Sequence, residues 1–177
     1  YALHAHLARI TGTGVLVGER APDFSLDPRE VERVVTGGRP TVTFLCSPNN
    51  PTAMIEPEAV VRTVLDQVEA VDGLLVVDEA YGQFAPWSAL TLVDDERHLC
   101  VSRTFSKTWS MAAARLGYVV GPAWLIAELE KVTLPYHLDA LKQVAGCLAL
   151  DYEDEMNRRV AAIVEERGRL VARLGEL

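Results

Sequence analysis

The sequence predicts an α/β fold of three layers, a mostly parallel sheet covered by helices on both faces. Two observations carry this. Short apolar runs rich in β-branched residues alternate with longer segments of helical periodicity, the order of a parallel sheet with crossover helices. Several of these runs are continuously apolar rather than alternating, as strands buried on both faces are. Such a sheet places its functional groups beyond the carboxyl ends of its strands, and here three polar clusters, 47–52, 78–81 and 104–107, each follow a strand-like run directly.

Taken in order, Val15-Leu16-Val17 reads as a short strand. Asp27-Pro28 opens a helix with Val31, Val34 and Val35 on one side, since Asp is a favoured cap and Pro a favoured first residue. Gly37-Gly38 ends it, and Thr41 to Cys46 follows as a buried strand of β-branched and aromatic residues. From Pro57 a helix repeats Val60, Val61, Val64, Leu65 and Val68 at helical spacing until Asp72-Gly73 stops it. Leu74 to Asp78 is a continuous apolar strand, and after an aromatic loop His98 to Arg103 and Leu116 to Val120 are two more. Beyond Ala123 the chain turns helical, with helices over 124–132, 138–152 and 153–174. The last carries an apolar stripe of Val160, Ile163, Val164, Leu170, Val171 and Leu174.

Composition narrows the function. At 177 residues with 49% apolar content the chain can form one ordinary domain with a sizeable core. A net charge of -8 and a pI near 5.0 speak against a nucleic-acid partner or an anionic membrane surface. No apolar run approaches the roughly 20 residues of a membrane-spanning helix. The first residues show no basic stretch leading into an apolar segment, so no secretory signal is expected. Tyr1 stands where an initiator methionine would, so the chain reads as a fragment. Cys46, Cys100 and Cys147 lack metal-ligand spacing and read as buried free thiols of a reducing cytoplasm. His4 and His6 are close, but not at the i, i+4 spacing of a helical metal face, and no metal site is expected.

Four segments carry chemistry. Lys107 ends the run Arg103-Thr104-Phe105-Ser106-Lys107 and is one of three lysines in the chain. Upstream, Leu74-Leu75-Val76-Val77 ends on Asp78, followed by Tyr81; earlier comes Ser47-Pro48-Asn49-Asn50-Pro51-Thr52, and after the lysine Arg115-Leu116-Gly117-Tyr118. An amine can form a Schiff base with an aldehyde, and a carboxylate can hold a pyridinium proton. An amide and a phenol can bond a ring hydroxyl, and hydroxyls with a guanidinium can grip a phosphate. Each has a plainer reading: lysine is usually solvated, Asp78 could cap a helix, Arg115 could form a salt bridge, and Pro48-Asn49 suggests an ordinary turn. The order and spacing of all four together argue for pyridoxal phosphate.

That combination resembles the fold-type I pyridoxal-phosphate aminotransferases of class I and II, and within them the histidinol-phosphate aminotransferase branch. The resemblance implies that Lys107 is the Schiff-base lysine and moves the substrate's α-proton, and that Asp78 partners the pyridine nitrogen. It implies that Asn50 and Tyr81 contact the ring hydroxyl, that Thr104, Ser106 and Arg115 hold the phosphate, and that Tyr1 stacks on the ring. It places most of the large cofactor domain in 1–152, without its N-terminal part, and in 153–177 a connector toward a small C-terminal domain. Half of the family's phosphate cup lies before Tyr1 and its substrate-carboxylate arginine after Leu177, so the fragment alone is expected to be inactive. A cytoplasmic homodimer acting on an amino acid and a 2-oxo acid is implied. Aromatic amino-acid transamination, an amino-acid-phosphate decarboxylase and a cofactor-sensing regulatory domain share these motifs and stay open. One departure stands out: Ala53 occupies a position where the family usually has glycine, and a positive φ there would strain it.

Overall fold

The computed structural model describes residues 1–176. Four strands form one sheet in the order β1 (Val42–Cys46), β2 (Leu74–Asp78), β3 (Leu99–Thr104), β4 (Gly117–Val120). The first three are parallel and β4 returns antiparallel to β3, so the sheet is mostly parallel as predicted.

Helix α1 is Ala2–Ile10, and α2 is Pro28–Glu32. The Asp27 carboxylate caps α2 by accepting from the Arg29 N–H at 2.9 Å, and the helix runs on as a π turn to Gly37. Helix α3 is Glu58–Glu69. Past its end the chain turns at Asp72, which adopts φ 57°, and at Gly73, where a Cβ would lie 2.8 Å from the Pro40 carbonyl oxygen. Close approach of the chain entering β1 therefore requires glycine. Helices α4 (Ala123–Val132), α5 (Ala140–Leu150) and α6 (Glu153–Leu174) follow β4. No helix among the described residues is long and apolar enough to cross a membrane.

The two-residue period of the strands sorts the core into layers. Leu45, Leu75, Val77, Leu99 and Val101 point to one face and meet Val61, Val64, Leu65 and Val68 of α3. Val76 and Cys100 point to the other and meet Leu125 of α4. Burying side chains such as Leu65, Leu75 and Leu99 completely contributes roughly 1.5–3 kcal/mol each. A third cluster, Phe105, Trp109 and Leu116 with Met156 and Val160 of α6, anchors the loop beyond β3.

Four expectations are corrected. Residues 15–17 form no strand: Leu16 and Val17 are exposed, and the Val17 carbonyl accepts from Arg33 Nη2 at 2.9 Å instead of a neighbouring strand. Strand β1 is not buried throughout; Val42 and Phe44 lie on a sheet face left half open. On α6 the stripe is covered only in its first half, at Met156 and Val160, while Ile163, Leu170, Val171 and Leu174 are exposed. Of the cysteines only Cys100 is buried; Cys147 is exposed and Cys46 half-buried.

Candidate active site

Parallel pairing brings three strand ends side by side. Cys46 pairs with Asp78, and Asp78 with Ser102. The pairing continues past the strands, the Ser47 N–H donating to the Asp78 carbonyl and the Glu79 N–H to the Ser102 carbonyl. The loops after β1, β2 and β3 therefore leave the sheet together, and with them Asn50, Asp78 with Tyr81, and Thr104 with Lys107.

The first loop is held at both ends. Ser47 Oγ accepts from the buried Glu56 N–H, and the Asn49 N–H donates to the Met54 carbonyl at 2.8 Å. Asn49 Nδ2 donates to Thr52 Oγ1, also at 2.8 Å. Asn50 stands exposed on this loop. The Asn50–Pro51 bond is cis, as is Ser47–Pro48, and Ala53 takes φ 59°, the left-handed conformation that its mismatch with glycine brought into question.

At the second strand end, Asp78 Oδ1 accepts from the Ala80 N–H at 3.0 Å, which leaves Oδ2 facing His4 Nε2 at 3.4 Å. The His4 ring stacks on Phe44 with centroids 4.1 Å apart, and Tyr1 meets its edge at 5.5 Å. Burial holds His4 below its usual pKa, with the Asp78 charge pulling the other way. Glu79 points to the opposite face. It is 3% exposed and accepts from Arg103 Nη2, Ser88 Oγ and the Ala89 N–H. This clamp ties the end of β2 to β3, so the residue beside Asp78 acts on geometry alone.

The third loop alternates inward anchors with outward polar groups. Phe105 and Trp109 are buried against each other with centroids 5.6 Å apart, while Lys107 between them is exposed. Lys107 Nζ lies 5.2 Å from the centre of the Tyr81 ring, so two of the expected site residues meet. Arg115 Nη1 reaches Ser106 Oγ at 3.4 Å, and Thr104 Oγ1 accepts from the Ser106 N–H at 3.1 Å, so the expected phosphate group also converges. Arg115 holds φ 52°, a strained conformation for a residue with a Cβ that persists where surroundings enforce it. Tyr1 is 77% exposed and touches the site through His4.

Sequence reasoning missed His4 and Cys46. The sequence sets His4 beside His6 alone, and no local pattern announces a contact with Asp78 across the fold. The one available signal was its position three residues after Tyr1, on the same helical face.

The fold and site define a class of three-layer α/β protein whose functional groups, here an amine, a carboxylate, a phenol and a hydroxyl-guanidinium group, stand beyond the carboxyl ends of parallel strands. The sequence model of the family described as aminotransferase class I and II matches residues 1–177, and the chain belongs to that family. It is 40% identical over 182 residues to a histidinol-phosphate aminotransferase of Frankia casuarinae, covering 100% of this chain and 46% of that protein. It is 42% identical over 176 residues to one from Mycolicibacterium smegmatis, covering 98% and 46%. The chain thus spans about half the length of the curated relatives it matches. Among solved structures, the Sinorhizobium meliloti histidinol-phosphate aminotransferase in complex with pyridoxal-5'-phosphate superposes with a TM-score of 0.86 at 23% identity, covering 96% of this chain and 47% of that one. At that identity the match speaks for the fold.

Proposed function

We propose that this chain is the cofactor-binding part of a pyridoxal-phosphate aminotransferase that interconverts histidinol phosphate plus 2-oxoglutarate with imidazole acetol phosphate plus glutamate, in histidine biosynthesis. The observation that carries it is the convergence of Lys107 with Tyr81 and of Ser106 with Arg115 beyond the same strand ends as Asp78. The names of the relatives at about 40% identity support the substrate.

The donor set fits pyridoxal phosphate. Two hydroxyls and a guanidinium fork suit a phosphate dianion, and Asp78 Oδ2, whose one neighbouring donor among the described residues is His4 Nε2 at 3.4 Å, keeps acceptor capacity that a protonated ring nitrogen could use. When bound, the cofactor supplies an electron sink for the pair left on the substrate's α-carbon. Asp78 Oδ2 would hold the proton on the ring nitrogen, and His4, 3.4 Å from that oxygen, would orient the carboxylate. Lys107 Nζ would be the amine that holds the cofactor's aldehyde carbon and the base that moves the substrate's α-proton. The centre of the Tyr81 ring lies 5.2 Å from Nζ, and the ring helps to position it. Tyr81 and Asn50 would bond the ring hydroxyl, Thr104, Ser106 and Arg115 would hold the phosphate, and Tyr1 would supply the aromatic beside the ring.

Residues 1–152 form most of the large domain, and 153–177 lead toward a small one. The protein works as a cytoplasmic homodimer on small amino acids and 2-oxo acids. The test uses the full-length protein with pyridoxal phosphate, reduced by borohydride and weighed by mass spectrometry, beside Lys107→Ala. Cofactor fixed at Lys107, absent from the variant, with the visible band of an unreduced sample bleached by glutamate and restored by imidazole acetol phosphate, is the expected result. Cofactor uptake without a response to any amino donor refutes the aminotransferase reading, and no uptake refutes the cofactor.

A further inference from the structure

Cys46 and Asp78 close β1 and β2 as register partners, so both side chains stand on the same sheet face. His4 lies over that face. Its imidazole nitrogen, the Cys46 sulfur and an Asp78 carboxylate oxygen all lie within 4.8 Å of one another. Among the described residues this is the one group of three or more His, Cys, Asp or Glu side chains that converges to metal-binding distance.

We propose that in the cofactor-free protein His4, Cys46 and Asp78 bind one zinc-class divalent cation, and that the bound cation excludes pyridoxal phosphate. The exclusion rests on the reading that Asp78 partners the cofactor ring; the cation site stands without it.

Donor chemistry selects the ion. A thiolate, an imidazole and a carboxylate suit Zn²⁺, whereas Mg²⁺ and Ca²⁺ prefer oxygen throughout. Ligand bonds of roughly 2.0–2.3 Å place the donors of a tetrahedral zinc about 3.3–3.8 Å apart. The His4–Asp78 separation of 3.4 Å already meets that spacing. The sulfur, at most 4.8 Å away, needs to close by only about 1 Å to reach the spacing that tetrahedral ligation sets.

Orientation is provided for as well. Asp78 Oδ1 is held by the Ala80 N–H, which leaves Oδ2 for a ligand, and the His4 ring is held by its stack on Phe44. Partners of this kind fix first ligands and raise affinity. On binding, the Cys46 thiol releases its proton to solvent, a metal–sulfur bond forms, and the ion exchanges coordinated waters for the three donors. A water keeps the fourth position. The thiolate and the carboxylate then balance the two positive charges, so a half-buried face carries no net charge.

The experiment titrates Zn²⁺ into the full-length protein stripped of cofactor, against a chelating dye, and follows pyridoxal phosphate uptake by its visible absorbance with and without zinc. One zinc per chain is expected, with affinity at least about tenfold weaker in Cys46→Ser. His4→Gln, an independent ligand change, should show the same loss. Zinc should slow cofactor uptake in the parent and not in Cys46→Ser, and Mg²⁺ should not slow it in either. Equal zinc affinity in the parent and both variants overturns the site. Zinc held by the trio without any effect on uptake overturns the exclusion. A parent that takes up no pyridoxal phosphate even without zinc refutes the functional reading instead, and the dye titration still decides the site.

Discussion

Ala53→Gly should stabilise the protein, and the structure sets how much. Ala53 sits at φ 59°, exposed, with its N–H donating to the Asn49 carbonyl at 2.7 Å. Glycine keeps that hydrogen bond, and the lost methyl group buries almost nothing. Left-handed backbone costs a residue with a Cβ roughly 1–2 kcal/mol, while glycine's greater freedom in the unfolded chain returns about 0.4–1 kcal/mol of that. The net expectation is a gain of about 0.5–1 kcal/mol. Urea unfolding of the apoprotein followed by tryptophan fluorescence should show a higher midpoint with an unchanged slope. The same change at Ala127, exposed inside α4, should instead cost about 1 kcal/mol, because there the backbone is ordinary helix. An unchanged or lowered midpoint for Ala53→Gly would refute the reasoning.

Three further outcomes are expected. Glu79→Ala strands the Arg103 guanidinium, whose side chain is 15% exposed, and should cost about 3–5 kcal/mol, with Glu79→Ala/Arg103→Met less destabilised than the sum of the two single changes; additive losses in urea unfolding would argue against the pair. Burial lowers the His4 pKa from 6.5, against the pull of Asp78, so the unfolded chain takes its proton first as pH falls. The His4 contribution is complete above that unfolded value and is lost as pH drops toward the folded one, so the stability difference between parent and His4→Gln should shrink from about pH 7.5 to about pH 5.5, and a difference independent of pH would contradict it. Burial pushes the Cys100 thiol up to about 11; at pH near 8 it should resist alkylation until the protein is denatured, and rapid native labelling mapped to Cys100 by mass spectrometry would count against the described core.

Legibility followed how local each signal is. Strand β2 and helix α6 begin and end where their apolar patterns do, at Leu74–Asp78 and Glu153–Leu174. Asp27 and Pro28 start α2 as their capping chemistry dictates. The run Val15-Leu16-Val17 has the composition of a strand but finds no neighbour to pair with, and composition cannot supply one. The exposed half of the α6 stripe follows the same rule: periodicity marks the apolar face without naming what lies against it.

The sequence by itself determined the alternation of strand and helix, the ends at which functional groups gather, and the amine, carboxylate, phenol and guanidinium among them, because propensity, capping and side-chain chemistry are properties of neighbouring residues. Only the tertiary structure decided that His4 faces Asp78, that Cys46 lies within 4.8 Å of both, and that Arg103 is the partner Glu79 clamps. Those contacts depend on strand register and on which sheet face a helix covers, and both are set by long-range burial rather than by any local pattern.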